Sequence, residues 1–195
     1  VILGTRARKT RTKSMNAFSS IDYPDVALIR DGRILHYILQ GKPPMPPVFH
    51  DKLDANVFVL RLIPGMNPDV LRPLANRFDA LVIESFGVGG LPCYEQADFL
   101  SAASAWSSAG KPIVITTQVP HEGSDLAVYQ VGARVAAQPG ILQAYTMPAE
   151  AVVTKLMWIL PQTRDLTEIK RLFYAPIACD LLQFEERGQE IDESH

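Results

Sequence analysis

Three short apolar segments at regular spacing constrain the fold of this chain more than any other feature. They lie at residues 57–62, 80–83 and 113–117, and they are nearly continuous in Val, Ile and Leu. Runs of this length and composition indicate β-strands that are covered on both faces. We therefore predict three buried strands.

The gaps between these strands contain helical patterns. A helix is predicted over residues 67–76, where Pro68 suits the first turn. A second helix is predicted from about 95 to 109, with Gly110 as its stop signal. Its apolar residues Phe99, Ala102, Ala103 and Trp106 share one face.

This alternation predicts an α/β fold with right-handed crossovers, a small parallel sheet and helices on both faces. Ligands in such folds bind beyond the carboxyl ends of the strands. The candidate site is therefore formed by the loops 64–67, 85–92 and 117–124.

Outside this unit the patterns are weaker. We predict a strand over 34–39, an extended proline-rich linker at 43–47 (or, alternatively, a proline-motif ligand), and a solvated acidic tail at 185–193. Helices are predicted over 148–160 and after a cap at Thr163 or Asp165, where Leu166, Ile169 and Phe173 recur at helical spacing.

Composition excludes several classes of protein. Among the 195 residues, 47% are apolar and 21% are charged, which excludes a disordered chain. Two cysteines, Cys93 and Cys179, are too few for a disulfide scaffold, and they fit a reducing cytosol. The apolar runs are too short to span a membrane, and a net charge of -2 gives no general attraction to nucleic acids or anionic lipids.

The amino-terminal region is basic. Arg6, Arg8, Lys9, Arg11 and Lys13 occur without an acidic residue among them. This run is either a nucleic-acid-binding arm or an exposed strand or hairpin with alternating charges, and the absence of interleaved aromatic residues favours the hairpin. The opening Val1-Ile2-Leu3 resembles the middle of a strand, so we expect a piece of a longer protein.

The sequence contains no complete catalytic set. There is no GxSxG elbow and no paired histidine motif, so neither a serine hydrolase nor a metal site is indicated. Cys93 would have a lowered pKa if it lay near a helix N-terminus; otherwise it is structural. His121, in the loop 117–124, either lies at the edge of the candidate site or is a solvated loop residue without a functional role. The segment 87–90 lacks the GxGxxG and Walker patterns, which favours a tight ligand-facing turn over a phosphate cradle.

Several ordered motifs carry a family resemblance. They are Arg11-Thr12-Lys13 followed by Ala17-Phe18-Ser19-Ser20, Leu62-Ile63-Pro64-Gly65-Met66, the strand from Leu81 to Gly89, Thr116-Thr117-Gln118, Tyr129-Gln130-Val131-Gly132, and Met147-Pro148-Ala149-Glu150-Ala151 before Thr154-Lys155-Leu156. In order and spacing the chain resembles the carboxyl-terminal part of bacterial-type L-asparaginases, closest to the cytoplasmic type I branch.

The resemblance implies an amidohydrolase whose nucleophile lies in an amino-terminal domain that bears TGGT- and DGTDT-type motifs, which do not occur here. It divides the chain into the end of that domain plus linker, 1–22, and a C-terminal domain, 23–195. It implies no catalytic residue, cofactor or metal in this chain, and activity only with the missing domain. It places Phe86, Gly87, Gly89 and Gly90 at the edge of a partner's active site.

Departures from the family pattern affect ligand binding. Gly90 replaces the family's Asn, and an effector site for a small amino acid would lie at Thr12, Glu84, Thr117, Gln118 and Val119. Regulated members commonly have Arg at the position of Glu84. We expect its carboxylate to repel the effector's carboxylate and weaken that site.

Two functions follow. The first is the dimer-forming part of a cytoplasmic asparaginase-like enzyme, and the second is a stand-alone module that binds a small amino acid or a protein. A tRNA-linked amidotransferase component is a third interpretation. Trp106, Trp158 and the apolar strands predict surfaces that a second copy covers, so a homo-oligomer is expected, without nucleic acid or membrane.

Overall fold

The computed structural model describes residues 1–39, 41, 46–94, 97–126 and 140–182. Before the central unit the chain forms two hairpins. The first pairs β1 (Ala7–Lys9) with β2 (Phe18–Ser20), after a 3-10 turn at Gly4–Arg6. The second pairs β3 (Ala27–Arg30) with β4 (Arg33–His36).

The strand predicted over 34–39 is present as β4, but it spans Arg33–His36 and it pairs with β3, which was not predicted. Asp31 and Gly32 both have positive φ, +50° and +73°, which is the geometry of a type I′ turn. An Asp-Gly pair between two apolar runs is a strong hairpin signal, and it places Ala27–Arg30 opposite β4.

In the part of the chain that the structure describes, the central sheet contains four parallel strands, one more than predicted. They are β5 (Val57–Arg61), β6 (Ala80–Ser85), β9 (Ile113–Thr117) and β10 (Ile141–Gln143), in the spatial order β10-β9-β6-β5. A short hairpin of β7 (Cys93–Tyr94) and β8 (Ala97–Asp98) lies between β6 and β9 in the chain. The sequence prediction missed β10 because its three residues are too few for a periodic pattern.

Among the described residues, four helices cover the sheet. They are α1 (Leu71–Arg77), preceded by a 3-10 turn at Pro68–Val70, α2 (Phe99–Ser108), α3 (Ala149–Ile159) and α4 (Leu166–Tyr174). Leu81, Ile83 and Ile115 pack with residues of α1 and α2 on one face, whereas Val82 and Val114 pack with α3 and α4 on the other. The three-layer α/β prediction is confirmed.

The edge position of β5 corrects one burial prediction. Only Leu60 of this strand is buried, and Val59 is 41% exposed. The strand is apolar like its neighbours, but it has a partner, β6, on one side within the described sheet. Apolar composition alone does not separate a central parallel strand from an edge strand.

Helix boundaries follow the capping side chains. Asn67 accepts a hydrogen bond from the amide of Asp69, and Asp165 accepts one from Glu168, so Asp165 rather than Thr163 caps α4. Helix α2 begins at Phe99 instead of near 95, because Asp98 is its N-cap. The predicted segments 43–45, 95–96, 129–132 and 185–193 lie outside the described residues.

The basic amino-terminal run forms the hairpin β1–β2, but its charges are not all exposed. Arg6 is fully buried, and Arg8 makes an ion pair of 3.0 Å with Glu150 on α3. Trp106 is also buried in the core, 2% exposed, so it cannot contribute to a surface for a second copy. In the part of the chain that is described, no helix is long and apolar enough to cross a membrane.

Candidate functional site

The glycine-rich segment after β6 forms a closed turn at the carboxyl edge of the sheet. The amide of Gly90 donates to the carbonyl of Phe86 at 2.8 Å, and the amide of Phe86 donates back to Gly90 at 3.3 Å. Gly87 and Gly89 have φ values of +49° and +124°. A Cβ on Gly89 would lie 3.0 Å from Leu126 Cδ2, so this glycine permits a close approach to the residues that follow the loop 117–124, the third loop of the predicted site.

The third loop holds this turn in place. The Thr117 hydroxyl donates to the carbonyl of Gly87 and accepts from the amide of Val119 at 3.0 Å. The amide of Asp125 donates to the carbonyl of Val88 at 2.6 Å. Two predicted site loops, 85–92 and 117–124, are therefore one connected unit.

Gln118 extends this unit to the edge strand. Its Nε2 donates to the carbonyl of Leu62 at 2.7 Å and to that of Glu84 at 3.0 Å, while its backbone amide donates to Ser85 at 3.1 Å. One side chain thereby joins the ends of β5, β6 and β9. These contacts support a role for Gln118 in positioning the ends of the three strands.

An arginine that sequence reasoning missed stands beside Glu84. Arg61 Nη1 lies 3.8 Å from Glu84 Oε2, because the two residues are in register on β5 and β6, and Arg61 Nε lies 3.4 Å from Gln118 Oε1. The Arg61 side chain is 62% exposed. A guanidinium is thus present on the strand next to Glu84, so the Glu84 carboxylate alone does not determine whether this position repels an anion. The only sequence signal was a charged residue at the end of an apolar run.

Of the five residues predicted for an effector site, four lie together and one does not join them. Glu84, Thr117, Gln118 and Val119 share the contacts above. Thr12 lies in the exposed turn between β1 and β2, and the described chain gives it no hydrogen bond to these residues. Asp22 reaches the third loop instead: its Oδ1 accepts from the Glu122 amide at 3.2 Å and lies 3.3 Å from His121 Nδ1.

Beneath the third loop lies a buried polar contact. Gln143 Nε2 donates to the carbonyl of Ser124, and the Gln143 amide donates to the hydroxyl of Tyr174 at 2.9 Å. Burial raises the pKa of Tyr174 to about 12. At Gly123, with φ +70°, a Cβ would lie 2.5 Å from the carbonyl oxygen of Tyr145, so this turn accepts only glycine.

The hydroxyls of this edge are held by backbone carbonyls. Ser85 donates to Thr116 at 2.6 Å, and Thr117 donates to Gly87, so neither hydroxyl proton faces a general base. Cys93 on β7 pairs in register with Asp98 on β8. The hydrogen bond from the first turn of α2 goes to the Asp98 carboxylate. Among the described residues, no group of three or more His, Cys, Asp or Glu could hold a metal ion.

The model of the glutaminase/asparaginase C-terminal domain matches residues 56–173 of this chain. The chain belongs to this family. The matched segment includes the whole four-stranded sheet and both loops that form the connected unit. The resemblance inferred from the motifs is confirmed.

Relatives of known name extend the match beyond this segment. The chain is 41% identical over 184 residues to the L-asparaginase of Thermococcus kodakarensis, covering 93% of the chain and 54% of that protein. It is 28% identical to a glutamyl-tRNA(Gln) amidotransferase component of Pyrococcus furiosus, covering 93% of the chain and 41% of that protein. The chain thus spans about half the length of the curated relatives it matches.

Solved structures confirm the fold. The structure of the thermostable L-asparaginase from T. kodakarensis superposes with a TM-score of 0.87 at 39% identity, covering 94% of this chain and 55% of that one. L-asparaginase I from Vibrio cholerae superposes with a TM-score of 0.78, covering 93% and 55%. At 24% identity the second likeness supports the fold alone.

Proposed function

We propose that this chain is the carboxyl-terminal, self-associating part of an L-asparaginase-like amidohydrolase that converts asparagine and water into aspartate and ammonia. The observation that carries the proposal is the 41% identity to T. kodakarensis L-asparaginase over 93% of the chain. That match covers 54% of the relative, and the described edge holds no activated hydroxyl. The nucleophile would come from the other half of the enzyme, and the chain by itself would be inactive.

The proposed contribution of this chain is the glycine turn. Phe86, Gly87 and Gly90 are accessible, whereas Gly89 is buried against Leu126. The first three would line the edge of a partner subunit's active site, and Gly89 would act by holding the turn's shape. In the same proposal residues 1–22 are the end of the preceding domain and the linker, and the enzyme is a cytoplasmic homo-oligomer that needs no cofactor or metal.

A chimeric enzyme tests the assignment. This chain replaces the matched part of T. kodakarensis L-asparaginase, and ammonia release from asparagine and glutamine is measured for the chimera and for the chain alone. We expect release by the chimera and none by the chain. A folded chimera that releases no ammonia from either amide would refute the substrate assignment.

Matched glycine variants of the chimera test the role of the turn. Gly89→Ala adds a Cβ against Leu126 in a backbone conformation that L-residues rarely adopt, so we expect activity to fall by up to about 100-fold. Gly4→Ala, where nothing lies within 4 Å, is the control and should retain activity. Equal activities would show that the turn does not serve the site.

The Arg61–Glu84 pair favours a second candidate function, the binding of a small amino acid. A guanidinium and a carboxylate 3.8 Å apart complement the carboxylate and ammonium of a zwitterion. Calorimetric titration of the chain with asparagine, aspartate and glutamine tests this function, with Arg61→Met as the variant expected to lose binding. Absence of heat with all three ligands would remove this candidate.

A further inference from the structure

The side chain of Gln143 links the central sheet to the third loop. Gln143 stands at the carboxyl end of β10, it is buried, and its Nε2 donates a hydrogen bond of 2.5 Å to the carbonyl of Ser124. Ser124 is buried as well. A buried amide side chain is costly unless it is hydrogen-bonded, so this contact accounts for a polar residue in a core position. Both partners belong to this chain, so the contact does not depend on what covers the chain's outer surfaces.

The carbonyl of Ser124 and the amide of Asp125 belong to the same peptide group. Because this group is planar and trans, its carbonyl and its N–H point in opposite directions. The carbonyl accepts from Gln143, and the N–H donates to the carbonyl of Val88 at 2.6 Å. Val88 is the middle residue of the glycine turn at 86–90. A continuous chain of hydrogen bonds therefore runs from β10 through one peptide group to the turn.

The backbone around this peptide group fixes its direction. The amide of Ser124 donates to the carbonyl of Tyr145 at 2.8 Å. Gly123 has a φ of +70°, and a Cβ on it would lie 2.5 Å from that same carbonyl oxygen. The loop therefore passes close against the residues that follow β10, with the Ser124 carbonyl turned toward Gln143.

Helix α4 fixes the backbone from which the Gln143 side chain extends. The amide of Ala144 donates to the carbonyl of Ile115 on β9 at 2.9 Å. The amide of Gln143 points to the other side of β10, where the described sheet has no further strand. There it donates to the hydroxyl of Tyr174 at 2.9 Å. This hydroxyl takes the place of a neighbouring strand and holds the end of β10.

We propose that Gln143 is a positioning residue for the glycine turn, acting through the peptide group at 124–125 on the carbonyl of Val88. Hydrogen bonds in a chain polarise one another, so loss of the first weakens the second. The Thr117 hydroxyl restrains Gly87 independently, so loss of the Gln143 bond shifts the turn without unfolding it. The effect on catalysis rests on the proposed function, in which the turn lines the edge of a partner subunit's active site.

Hydrogen exchange of the chain itself tests the positioning. Gln143→Met keeps the length of the side chain and removes its donor, which leaves the buried carbonyl of Ser124 without this bond. We expect the amides of residues 86–90 and of Asp125 to exchange about 10-fold faster, because the turn opens locally more often. The amides of α1 should exchange at the parent rate.

Gln162→Met is the matched control. The Nε2 of Gln162 also donates to a backbone carbonyl, that of Trp158 at 2.7 Å, but at the exposed end of α3. This variant should leave exchange in the turn unchanged. Gln143→Asn, which withdraws the donor by one methylene, should accelerate exchange in the same residues as Gln143→Met and replaces that variant if it does not fold.

Two exchange results would overturn the proposal. One is exchange of residues 86–90 at the parent rate in the Gln143 variants. The other is an acceleration that α1 shares equally, because that pattern reports global unfolding and not a shift of the turn.

Kinetics of the chimera give a second readout, which a loss of stability does not mimic. A displaced turn weakens substrate binding, so we expect Gln143→Met to raise KM for asparagine by about 10-fold and to keep kcat within about 2-fold. A smaller folded fraction would instead lower the apparent kcat at an unchanged KM. Gln162→Met should change neither constant.

The positioning role and the proposed function fail in different ways. A parent chimera that releases no ammonia, together with faster exchange of the turn in Gln143→Met, would refute the amidohydrolase assignment and leave the positioning of the turn supported. An active parent chimera whose KM is unchanged by Gln143→Met would overturn the role of Gln143 at the site and leave the amidohydrolase assignment intact.

Discussion

Single side chains at the carboxyl edge act mainly on backbone groups. Gln118 joins three strand ends, Thr117 holds the glycine turn, and Gln143 supports the third loop. Removing one partner of a buried backbone group costs more than the bond itself contributes, because that group then loses its hydrogen bond. Tyr174 is the clearest case, since its buried hydroxyl accepts a hydrogen bond from the Gln143 amide.

We expect Tyr174→Phe to lower the free energy of unfolding by about 1–3 kcal/mol, because a buried amide loses its acceptor. The pKa of Tyr174 is raised from 10.0 to about 12, so the native state binds this proton more tightly than the unfolded state. The associated stability is complete below pH 10 and is lost as the pH rises toward 12. Urea unfolding at pH 8 and across pH 10–12 measures both effects.

Tyr145→Phe is the control for this prediction, because Tyr145 is 45% exposed. It should change stability little and keep an alkaline transition, although the transition shifts because Tyr145 contributes to the raised pKa of Tyr174. If the Tyr174→Phe chain loses stability above pH 10 as steeply as the parent, the pH dependence has another origin.

At the scale of elements, caps and turns decide where the helices and strands begin. Helix α2 starts at Phe99 because Asp98 accepts from both the amide and the hydroxyl of Ser101. These bonds hold the pKa of Asp98 below its usual 3.8, with the Ser101 hydroxyl as the largest cause. The chain segment before the cap is then free to form β7 and β8.

We expect Asp98→Ala to destabilise the protein by about 1 kcal/mol at pH 7 through loss of the N-cap. Because the native pKa is depressed, this contribution is present above about pH 4 and disappears as the pH falls through the lower native value. The stability difference between parent and variant should therefore vanish in acid. Asp51→Ala, on an exposed residue, should change the unfolding free energy by no more than about 0.5 kcal/mol.

At the scale of the whole molecule, Arg6 connects the first twenty residues to the segments that lie just before α3 and just after α4. Its Nε donates to the carbonyl of Cys179 at 2.6 Å, and its Nη1 donates to that of Thr146 at 2.8 Å, although these residues are far apart in sequence. Burial lowers the pKa of Arg6, and nearby Asp180 opposes this effect. The buried pair of Lys155 and Asp180, 2.6 Å apart, lies in the same region.

We expect Arg6→Ala to loosen residues 1–39 and to cost about 1–3 kcal/mol for each carbonyl that loses its donor. Arg6→Lys should not restore stability, because an ammonium lacks the planar fork that reaches both carbonyls. Hydrogen exchange of peptides from residues 1–39, with urea unfolding, measures the effect. Arg11→Ala, an exposed arginine of the same hairpin, should exchange like the parent; equal exchange in all variants would contradict the prediction.

Local signals were sufficient for much of this fold. The three apolar runs predicted β5, β6 and β9, the caps predicted α1 and α4, and the glycines predicted a tight turn after β6. These features depend on residues near each other in sequence, so their patterns are visible there. The Asp31–Gly32 signal was equally local and was overlooked.

The remaining features depend on contacts between residues that are far apart in the sequence, so no local pattern predicts them. Arg61 meets Glu84 because two strands share a register, Arg6 is bonded to residues 146 and 179, and a Cβ on Gly89 would meet Leu126. Pattern and composition thus determined the elements and the family, whereas packing between distant segments decided which charges are buried, which strands lie at an edge, and which side chains meet at the site.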